Sequence, residues 1–241
     1  MSSRKDQIRA LLKGIETGDS AAVEVVNQAK YIQHNPQTHE GGEGLAALFK
    51  RLSKTSPRVN IVRAFEDGNY VFAHTEYDFS KRNIGFEVFR FEGEQVVEHW
   101  DNIQARKGPN ASAHTMVDGP VEVADTALTE ANRKVVVSFV TDILIGRGMA
   151  SFDHYVDRER FTEHAPEIDL ADKISTMKYE RSHRFLAEGN FVLAVCEGEN
   201  AGVHTAFYDL YRLAEGKLVE HWDTIEAVAP RSEWKNDNGK F

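Results

Sequence analysis

Two acidic residues at predicted strand positions, Glu87 and Asp209, are the side chains of this sequence best suited to acid–base chemistry. Burial among apolar side chains disfavours the charged form of a carboxylate, which suits it to move a proton at a carbon next to a carbonyl. A neighbouring histidine can donate a hydrogen bond to the developing enolate oxygen. His74 lies on the predicted strand before that of Glu87, and His204 lies on the predicted strand of Asp209. The alternative is that both acids pair with arginine and brace a sheet.

A second candidate group is the tetrapeptide Glu-His-Trp-Asp, which occurs at residues 98–101 and again at 220–223. Side chains alternate between the two faces of a strand, so the histidine and the aspartate share one face and the tryptophan lies on the other. These residues are typical of hydrogen-bonded pairs and of core or interface aromatics, and contact with a ligand in the cavity is the alternative interpretation. They are His99, Trp100, Asp101, His221, Trp222 and Asp223.

Polar residues also precede the prolines of two related loop segments. Tyr31, His34 and Asn35 come before Pro36, and His164 holds the place of His34 in the second half. Such residues either contact a ligand at a pocket mouth or brace a turn, and the sequence leaves both interpretations open.

Neither a metal nor a cofactor is predicted. A histidine and an aspartate two residues apart fall short of the usual three or more metal ligands, and the sequence has no cysteine pair and no helical metalloprotease pattern. It also has no glycine-rich phosphate loop, no dinucleotide fingerprint and no serine nucleophile elbow. The one cysteine, Cys196, is expected to be a small buried apolar residue.

The sequence repeats itself, which indicates two domains. The two tetrapeptides are 122 residues apart, residues 68–73 match 189–194 at an offset of 121, and residues 31–36 match 161–166 at an offset of 130. The three matches occur in the same order in both copies. The segment between the first and second matches along the chain is nine residues shorter in the second copy. A loop rich in Gly, Pro, Asn and Ser at 107–120 marks the connection. We therefore predict domains at residues 1–115 and 116–241.

Each copy is predicted to begin with helices and to continue with strands. Apolar residues recur at helical spacing in 8–15 and 135–144, and shorter helices should follow at 20–27 and 149–157. The first copy then has predicted strands at 59–65, 70–77, 86–91 and 96–104, and the second at 181–186, 191–197, 205–213 and 218–228. This order predicts an α+β fold in which a curved, mostly antiparallel sheet packs on N-terminal helices and leaves a concave pocket.

Composition excludes several partner classes. The net charge of −9 argues against nucleic acid and against an anionic membrane surface, because both require a cationic surface. A single cysteine fits a reducing compartment, and the sequence lacks an apolar signal segment or membrane span, so the cytoplasm is expected. The expected partner is a small apolar or carbonyl-containing molecule.

The repeated pattern resembles the SnoaL-like branch of the nuclear transport factor 2-like superfamily. The pattern is an acidic residue, an apolar pair, arginine, a turn and the Glu-His-Trp-Asp strand, here at 87–101 and 209–223. The resemblance implies two tandem cone-shaped α+β barrels with blind apolar cavities. It also implies acid–base roles for Glu87 and Asp209, with His74 facing the first cavity. Val195 replaces that histidine in the second copy, and Glu87 replaces the usual aspartate in the first.

Three functions follow from the resemblance and the residues. The first is a cofactor-free enzyme, a lyase or isomerase similar to the polyketide cyclases that close a ring by aldol condensation, with the first domain active. The second is a non-catalytic binding or assembly protein in which the two domains form a covalent pseudo-dimer, with further homo-oligomerisation open. The third is a hydrolase of a small ester or epoxide that uses a carboxylate-activated water.

Overall fold

The computed structural model describes residues 2–166 and 170–241, and within them the chain forms two compact units. Unit 1 comprises Met1–Ala105 together with Ala229–Phe241, and unit 2 comprises Arg106–Val228. The predicted boundary at 115/116 therefore falls inside unit 2. The last segment of the chain belongs to unit 1, which the position of that segment in the sequence did not indicate.

Unit 1 begins with helix α1, Arg4–Thr17, whose buried face is formed by the predicted apolar residues. Ser3 caps the first turn by accepting a hydrogen bond from the backbone N–H of Asp6. Gly18 ends the helix in the left-handed conformation with φ of 69°, which glycine adopts without strain. A 3₁₀ helix at Ser20–Val25 and helix α2, Gly41–Leu52, complete the helical layer.

The sheet of unit 1 has five strands in the order β1-β5-β4-β3-β2. A two-residue strand, β1 at Ile32–Gln33, runs parallel to β5, and the other neighbours are antiparallel. The long strands are β2 at Arg58–Asp67, β3 at Tyr70–Asp78, β4 at Arg82–Glu92 and β5 at Gln95–Ala105. All four contain the predicted strands and extend them by a few residues.

Unit 2 repeats this order of elements. Helix α3, Thr129–Phe139, continues into a π-helix at Val140–Ile145, and two shorter helices follow, α4 at Phe152–Tyr155 and α5 at Leu170–Thr176. Strand β6 at Thr162–Glu163 pairs in parallel with the strand of unit 2 that comes last in the sequence, as β1 pairs with β5 in unit 1. The long strands are β7 at Met177–Glu188, β8 at Phe191–Asn200, β9 at Val203–Ala214 and β10 at Lys217–Ala227.

One face of each sheet packs on the helices and forms a hydrophobic core. In unit 1 the core joins residues such as Ile8, Leu11 and Phe49 of the helices to Val71 and Phe89 of the strands. In unit 2 Phe139 and Ile143 pack on Val192, Phe207 and Tyr211 in the same manner. The fold of the chain is therefore α+β, with two mixed five-stranded sheets. Among the described residues, no helix is long and apolar enough to cross a membrane.

Candidate functional site

A cavity of about 460 Å³ lies in unit 1 between the helices and the sheet. Its helical wall is mainly apolar, because α1 and α2 present leucine, isoleucine and phenylalanine side chains to it, and Arg51 of α2 is the charged residue on this wall. Its sheet wall is polar at one place, where side chains of β1, β3, β4 and β5 converge. The polar residues there are Tyr31, Gln33, Asn35, Tyr77, Glu87, His99 and Asp101.

Glu87 lies at the centre of this polar group and is almost fully buried. Tyr77 donates its O–H to Oε1 of Glu87 at 2.8 Å, and Nε2 of His99 lies 2.7 Å from Oε2. Burial and the carboxylate of Glu87 hold the pKa of Tyr77 well above its usual range, so the phenol remains a donor at neutral pH. The absence of a side chain at Gly85 makes room for this contact, because a Cβ there would lie 2.7 Å from the Tyr77 ring.

The position of protons on His99 follows from its second partner. Nδ1 of His99 lies 3.0 Å from Oε1 of Gln33, and the same oxygen accepts from the backbone N–H of Asn35 at 2.9 Å. A backbone N–H can only donate, so the Gln33 atom that it meets is the amide oxygen, and Nδ1 of His99 must donate to it. The short contact between Nε2 of His99 and Glu87 then holds a single proton, carried by one group or the other.

Asp101 lies directly opposite Glu87 in the register of β4 and β5. Its Oδ2 accepts from Nδ2 of Asn35 at 2.7 Å, and its Oδ1 lies 3.4 Å from Nζ of Lys240, which is itself buried. Lys240 belongs to the C-terminal segment 229–241. Further contacts of this segment hold it beside β1, including the hydrogen bond from Asn238 to the carbonyl of Gln33 at 3.0 Å.

The structure separates His74 from Glu87, contrary to the predicted pairing. Ala73 is the residue of β3 that lies opposite Glu87, whereas His74 lies opposite Phe86 and contacts Nη1 of Arg63 through Nδ1 at 2.8 Å. Side chains alternate along a strand, so His74 points away from the face that carries Glu87. The histidine beside the acid is His99, from the following strand.

The same alternation divides the residues of the loop and of the tetrapeptide. Tyr31, Asn35, His99 and Asp101 line the cavity. His34 instead stacks on Trp100 with ring centroids 4.6 Å apart, and its ring nitrogens contact Glu98 and the carbonyl of Gly239. These two predicted ligand contacts therefore lie on the other face of the sheet and outside the cavity lining.

In unit 2 the equivalent acid, Asp209, is fully buried and paired with a lysine. Nζ of Lys173, from helix α5, lies 3.1 Å from Oδ1 of Asp209 and also contacts Asp223. Nε2 of His221 lies 3.0 Å from the same oxygen, and Nδ1 of His221 lies 2.8 Å from Glu163. The ammonium group of Lys173 therefore pairs with both Asp209 and Asp223. In unit 1, Lys240 contacts Asp101 and not Glu87.

This pairing determines the charge states in unit 2. Burial alone would raise the pKa of Asp209, but Lys173 and His221 outweigh it and hold the pKa at about 2. Burial would lower the pKa of His221, but Glu163 and Asp209 raise it to about 9. Burial raises the pKa of Asp223 above its usual value. At neutral pH His221 is an imidazolium held between two carboxylates.

The remaining predicted contacts in unit 2 lie away from Asp209. His164 stacks on Trp222 at 4.4 Å and contacts Asp118 at 2.6 Å, as His34 stacks on Trp100 in unit 1. His204 is exposed and contacts Glu197, because it lies five residues along β9 from Asp209 and on the opposite face.

Three groups of described residues bring metal-ligand atoms within 4.8 Å of one another, and they are Glu87/His99/Asp101, Asp209/His221/Asp223 and His114/Asp118/His164. In the first two, hydrogen bonds or the Lys173 ammonium already engage most of these atoms. In the third, Nδ1 of His164 lies 2.6 Å from the carboxylate of Asp118 and 3.2 Å from the carbonyl of Thr115, so hydrogen bonds engage this group as well.

Sequence reasoning missed Gln33, Tyr77, Lys173 and Lys240. Gln33 had an available signal, because residues 31, 33 and 35 alternate with His34 and so share a face. Tyr77 likewise shares a face with Ala73, the residue opposite Glu87. Lys173 and Lys240 come from a helix and a terminal segment whose placement depends on the tertiary fold.

Comparison with known proteins gave one family match and several structural neighbours. No curated protein matches the sequence. TsrD from Streptomyces laurentii is 18% identical, with 43% of this chain and 92% of that chain covered and a TM-score of 0.38. IdmH from Streptomyces antibioticus, described as a candidate polyketide cyclase, is 14% identical, with 43% and 93% covered and a TM-score of 0.38. An LEH-like epoxide hydrolase of M. tuberculosis is 17% identical, with 41% and 80% covered and a TM-score of 0.36.

The family match falls on the first unit. The model of the SnoaL-like domain matches residues 8–99, which run from the first buried turn of α1 to the histidine beside Glu87. This range includes α2 and most of α1, the strands β1 to β4, and the part of β5 that ends at His99. Residues 8–99 of the chain are therefore similar to the SnoaL-like domain, a match that covers less than half of the chain.

Proposed function

We propose that unit 1 is a cofactor-free lyase or isomerase that acts on a carbonyl compound, with Glu87 as the acid–base group. The observation that supports this most directly is the environment of Glu87. Its carboxylate lines a cavity and is held by a phenol and an imidazole, whereas the equivalent Asp209 is held by Lys173. A carboxylate without a tight ammonium partner is available to take a proton from a ligand.

The surrounding residues supply the other parts of such a reaction. Glu87 would take a proton from the carbon next to the substrate carbonyl. Tyr31 accepts a hydrogen bond from Nε2 of Gln33 at 3.3 Å, which leaves its own O–H to donate to the enolate oxygen. Burial holds the pKa of Tyr31 well above its usual range, so it stays a donor. The enolate carbon then attacks a second carbonyl of the same molecule, and the alkoxide that forms receives the proton held by Glu87. In an isomerase, Glu87 instead returns the proton to the enolate at another carbon.

The cavity shape fits a substrate with an apolar body and a polar end. The leucine and phenylalanine side chains of α1 and α2 would contact the body, and the polar wall would receive the carbonyl oxygen. A volume of about 460 Å³ lies within the usual range for small-molecule sites.

We further infer that unit 2 is a second copy of the same domain that has lost this activity. The repeated tetrapeptide, the identical strand order and the parallel pairing of β1 and β6 support the common origin. The Lys173 ammonium between Asp209 and Asp223 supports the loss, because it holds both carboxylates in ion pairs.

The test is exchange of substrate protons with solvent. The purified chain is incubated in D₂O with a panel of 1,3-diketones and aryl β-ketoesters, and the signal of the acidic C–H is followed by NMR. We expect catalysed exchange, and we expect Glu87→Gln to lower it by about 10²-fold or more with the fold intact. Asp209→Asn should lower it less, and the exposed Glu24→Gln is the matched control. Equal losses in Glu87→Gln and Asp209→Asn would contradict the assignment to unit 1.

Hydrolysis of a small ester or epoxide is the second candidate, and the pair Asn35–Asp101 favours it. Their 2.7 Å hydrogen bond places an amide and a carboxylate together at the cavity wall, which is the arrangement needed to hold and activate a water. Incubation in ¹⁸O-labelled water separates the two candidates. Incorporation of ¹⁸O into the product indicates hydrolysis, and exchange of carbon-bound hydrogen without ¹⁸O indicates enolisation. A ligand that raises the melting temperature but is recovered unchanged in both experiments would indicate a binding protein.

A further inference from the structure

His99 in unit 1 and His221 in unit 2 occupy equivalent positions and have equivalent hydrogen-bond partners. One of these partners is neutral in unit 1 and charged in unit 2. In unit 1 Gln33 lies opposite His99 in the parallel pairing of β1 and β5, and in unit 2 Glu163 lies opposite His221 in the pairing of β6 and β10. In both, a side-chain oxygen of the short strand accepts from Nδ1 of the histidine, at 3.0 Å and 2.8 Å.

The backbone fixes this oxygen in the same way in both units. Oε1 of Gln33 also accepts from the N–H of Asn35 at 2.9 Å, and Oε1 of Glu163 also accepts from the N–H of Ala165 at 2.9 Å. Asn35 and Ala165 both lie two residues after the acceptor. The geometry around Nδ1 is therefore conserved between the units, while a neutral amide in unit 1 is replaced by a carboxylate in unit 2.

The charge of this acceptor decides how many protons the imidazole carries. A carboxylate at Nδ1 and another at Nε2 both favour the imidazolium, and His221 accordingly has its pKa raised to about 9 by Glu163 and Asp209 against the effect of burial. With an amide at Nδ1, only Glu87 stabilises the imidazolium of His99 at hydrogen-bond distance. The one proton between Nε2 of His99 and Oε2 of Glu87 can then reside on either the imidazole or the carboxylate.

We propose that Gln33 is a positioning residue that leaves this proton free to move between His99 and Glu87, and that Glu163 removes this freedom in unit 2. The role of Gln33 in turnover rests on the proposed function of unit 1, whereas its effect on His99 does not. Gln33 touches His99 and Tyr31 in the structure, so it acts through these two residues.

Other charged groups face both histidines and enter the comparison. Around His99 they are Glu87 from β4, Tyr77 from β3, Asp101 from β5, Tyr31 before β1 and, through Asp101, Lys240. Arg51 of α2 and Glu233 and Lys235 of the C-terminal segment line the same cavity. Around His221 they are Asp209, Asp223, Glu163, Lys173, Tyr179 and Tyr211. Each unit already contains one buried lysine near its second aspartate. A glutamate at position 33 would therefore place at Nδ1 of His99 the same carboxylate that unit 2 accommodates at Nδ1 of His221.

The experiment measures the imidazole directly in the full chain. Protein labelled with ¹⁵N-histidine is titrated between pH 5 and pH 10, and the ring nitrogens of His99 and His221 are assigned with the variants His99→Gln and His221→Gln. We expect Gln33→Glu to move the titration midpoint of His99 upward by about one pH unit or more. The reciprocal variant Glu163→Gln should move the midpoint of His221 downward from about 9. Unchanged midpoints in both variants would overturn the proposal.

Activity provides the second readout. Gln33→Glu should lower kcat for proton exchange at pH 7 by about tenfold, which corresponds to about 1.4 kcal/mol, with little change in KM. A fall in kcat accompanied by a comparable rise in KM, without a change in the pH profile, would indicate a merely structural role for Gln33. That result would overturn the positioning assignment. If the wild-type chain catalyses no exchange but the midpoints move as expected, the proposed function fails and the assignment of the proton stands.

Discussion

The Nζ atom of Lys173 lies 3.1 Å from Oδ1 of Asp209, in a place where both groups are fully removed from solvent. The corresponding carboxylate of unit 1, Glu87, is held instead by Tyr77 and His99. Buried ion pairs are costly to break, because removing one partner leaves an uncompensated charge in a medium that solvates it poorly. Asp209 therefore depends on a cationic partner in a way that Glu87 does not.

Lys173→Met should destabilise unit 2 strongly. Among the described residues, the substitution leaves His221 as the one cation paired with Asp209 and Glu163 and removes the ion pair of Asp223, so we expect the free energy of unfolding to fall by about 3–5 kcal/mol. Urea denaturation followed by circular dichroism measures the change, with the exposed Lys178→Met as the control. A loss no larger than that of Lys178→Met would show that the ion pairs contribute little.

The stability of unit 2 should have a pH optimum set by the same residues. Asp209 has its pKa lowered from 3.8 to about 2, so its contribution is present above pH 3.8 and is lost as the pH falls toward 2. His221 has its pKa raised from 6.5 to about 9, so its contribution is present below pH 6.5 and is lost as the pH rises through 9. Melting temperatures between pH 2 and pH 10 should fall at both ends. His221→Gln should flatten the alkaline side, and an unaltered alkaline side would contradict the role of His221.

Tyr77→Phe should move the pH dependence of the proposed reaction without unfolding unit 1. The variant keeps the aromatic ring that stacks on Phe79 but removes the O–H that stabilises the carboxylate of Glu87. Losing that donor favours the protonated acid, so we expect the acidic limb of the rate profile to move upward by about one pH unit. Rates of proton exchange between pH 4 and pH 9 measure it, and Tyr70→Phe on the same strand is the control. A profile that matches the wild type would separate Tyr77 from the chemistry.

Lys240→Met should weaken unit 1, although the lysine is almost the last residue of the chain. Nζ of Lys240 is the cation nearest to the buried Asp101, and without it Asn35 alone donates to that carboxylate. We expect a loss of about 3 kcal/mol in the free energy of unfolding. Thermal denaturation of Lys240→Met beside the exposed Lys54→Met tests this. Equal melting temperatures in the two variants would show that the terminal lysine does not stabilise unit 1.

The element order was predictable because it depends on local patterns. The helical spacing of Ile8, Leu11 and Leu12 and the β-branched and aromatic strands after Pro57 require no knowledge of distant contacts. The shared face of His99 and Asp101 likewise followed from strand alternation, and the structure has the same arrangement.

The partners of the acids were not predictable in the same way. Pairing His74 with Glu87 required a register between β3 and β4, and a shift of one residue moves a side chain to the other face of the sheet. Lys173 and Lys240 reach their acids from a short helix and from a terminal segment, across 36 and 139 residues of sequence. Contacts of this kind depend on the folded chain and leave no local signal.

The membership of residues 229–241 in unit 1 has a consequence for the order in which the protein is made. Glu233 and Lys235 line the cavity of unit 1, yet the ribosome adds them only after all of Arg106–Val228. At about 5–20 residues per second, the nascent first unit waits on the order of ten seconds for the last part of its own wall. During that interval its apolar cavity is less enclosed, and termination of translation before residue 229 would leave unit 1 incomplete.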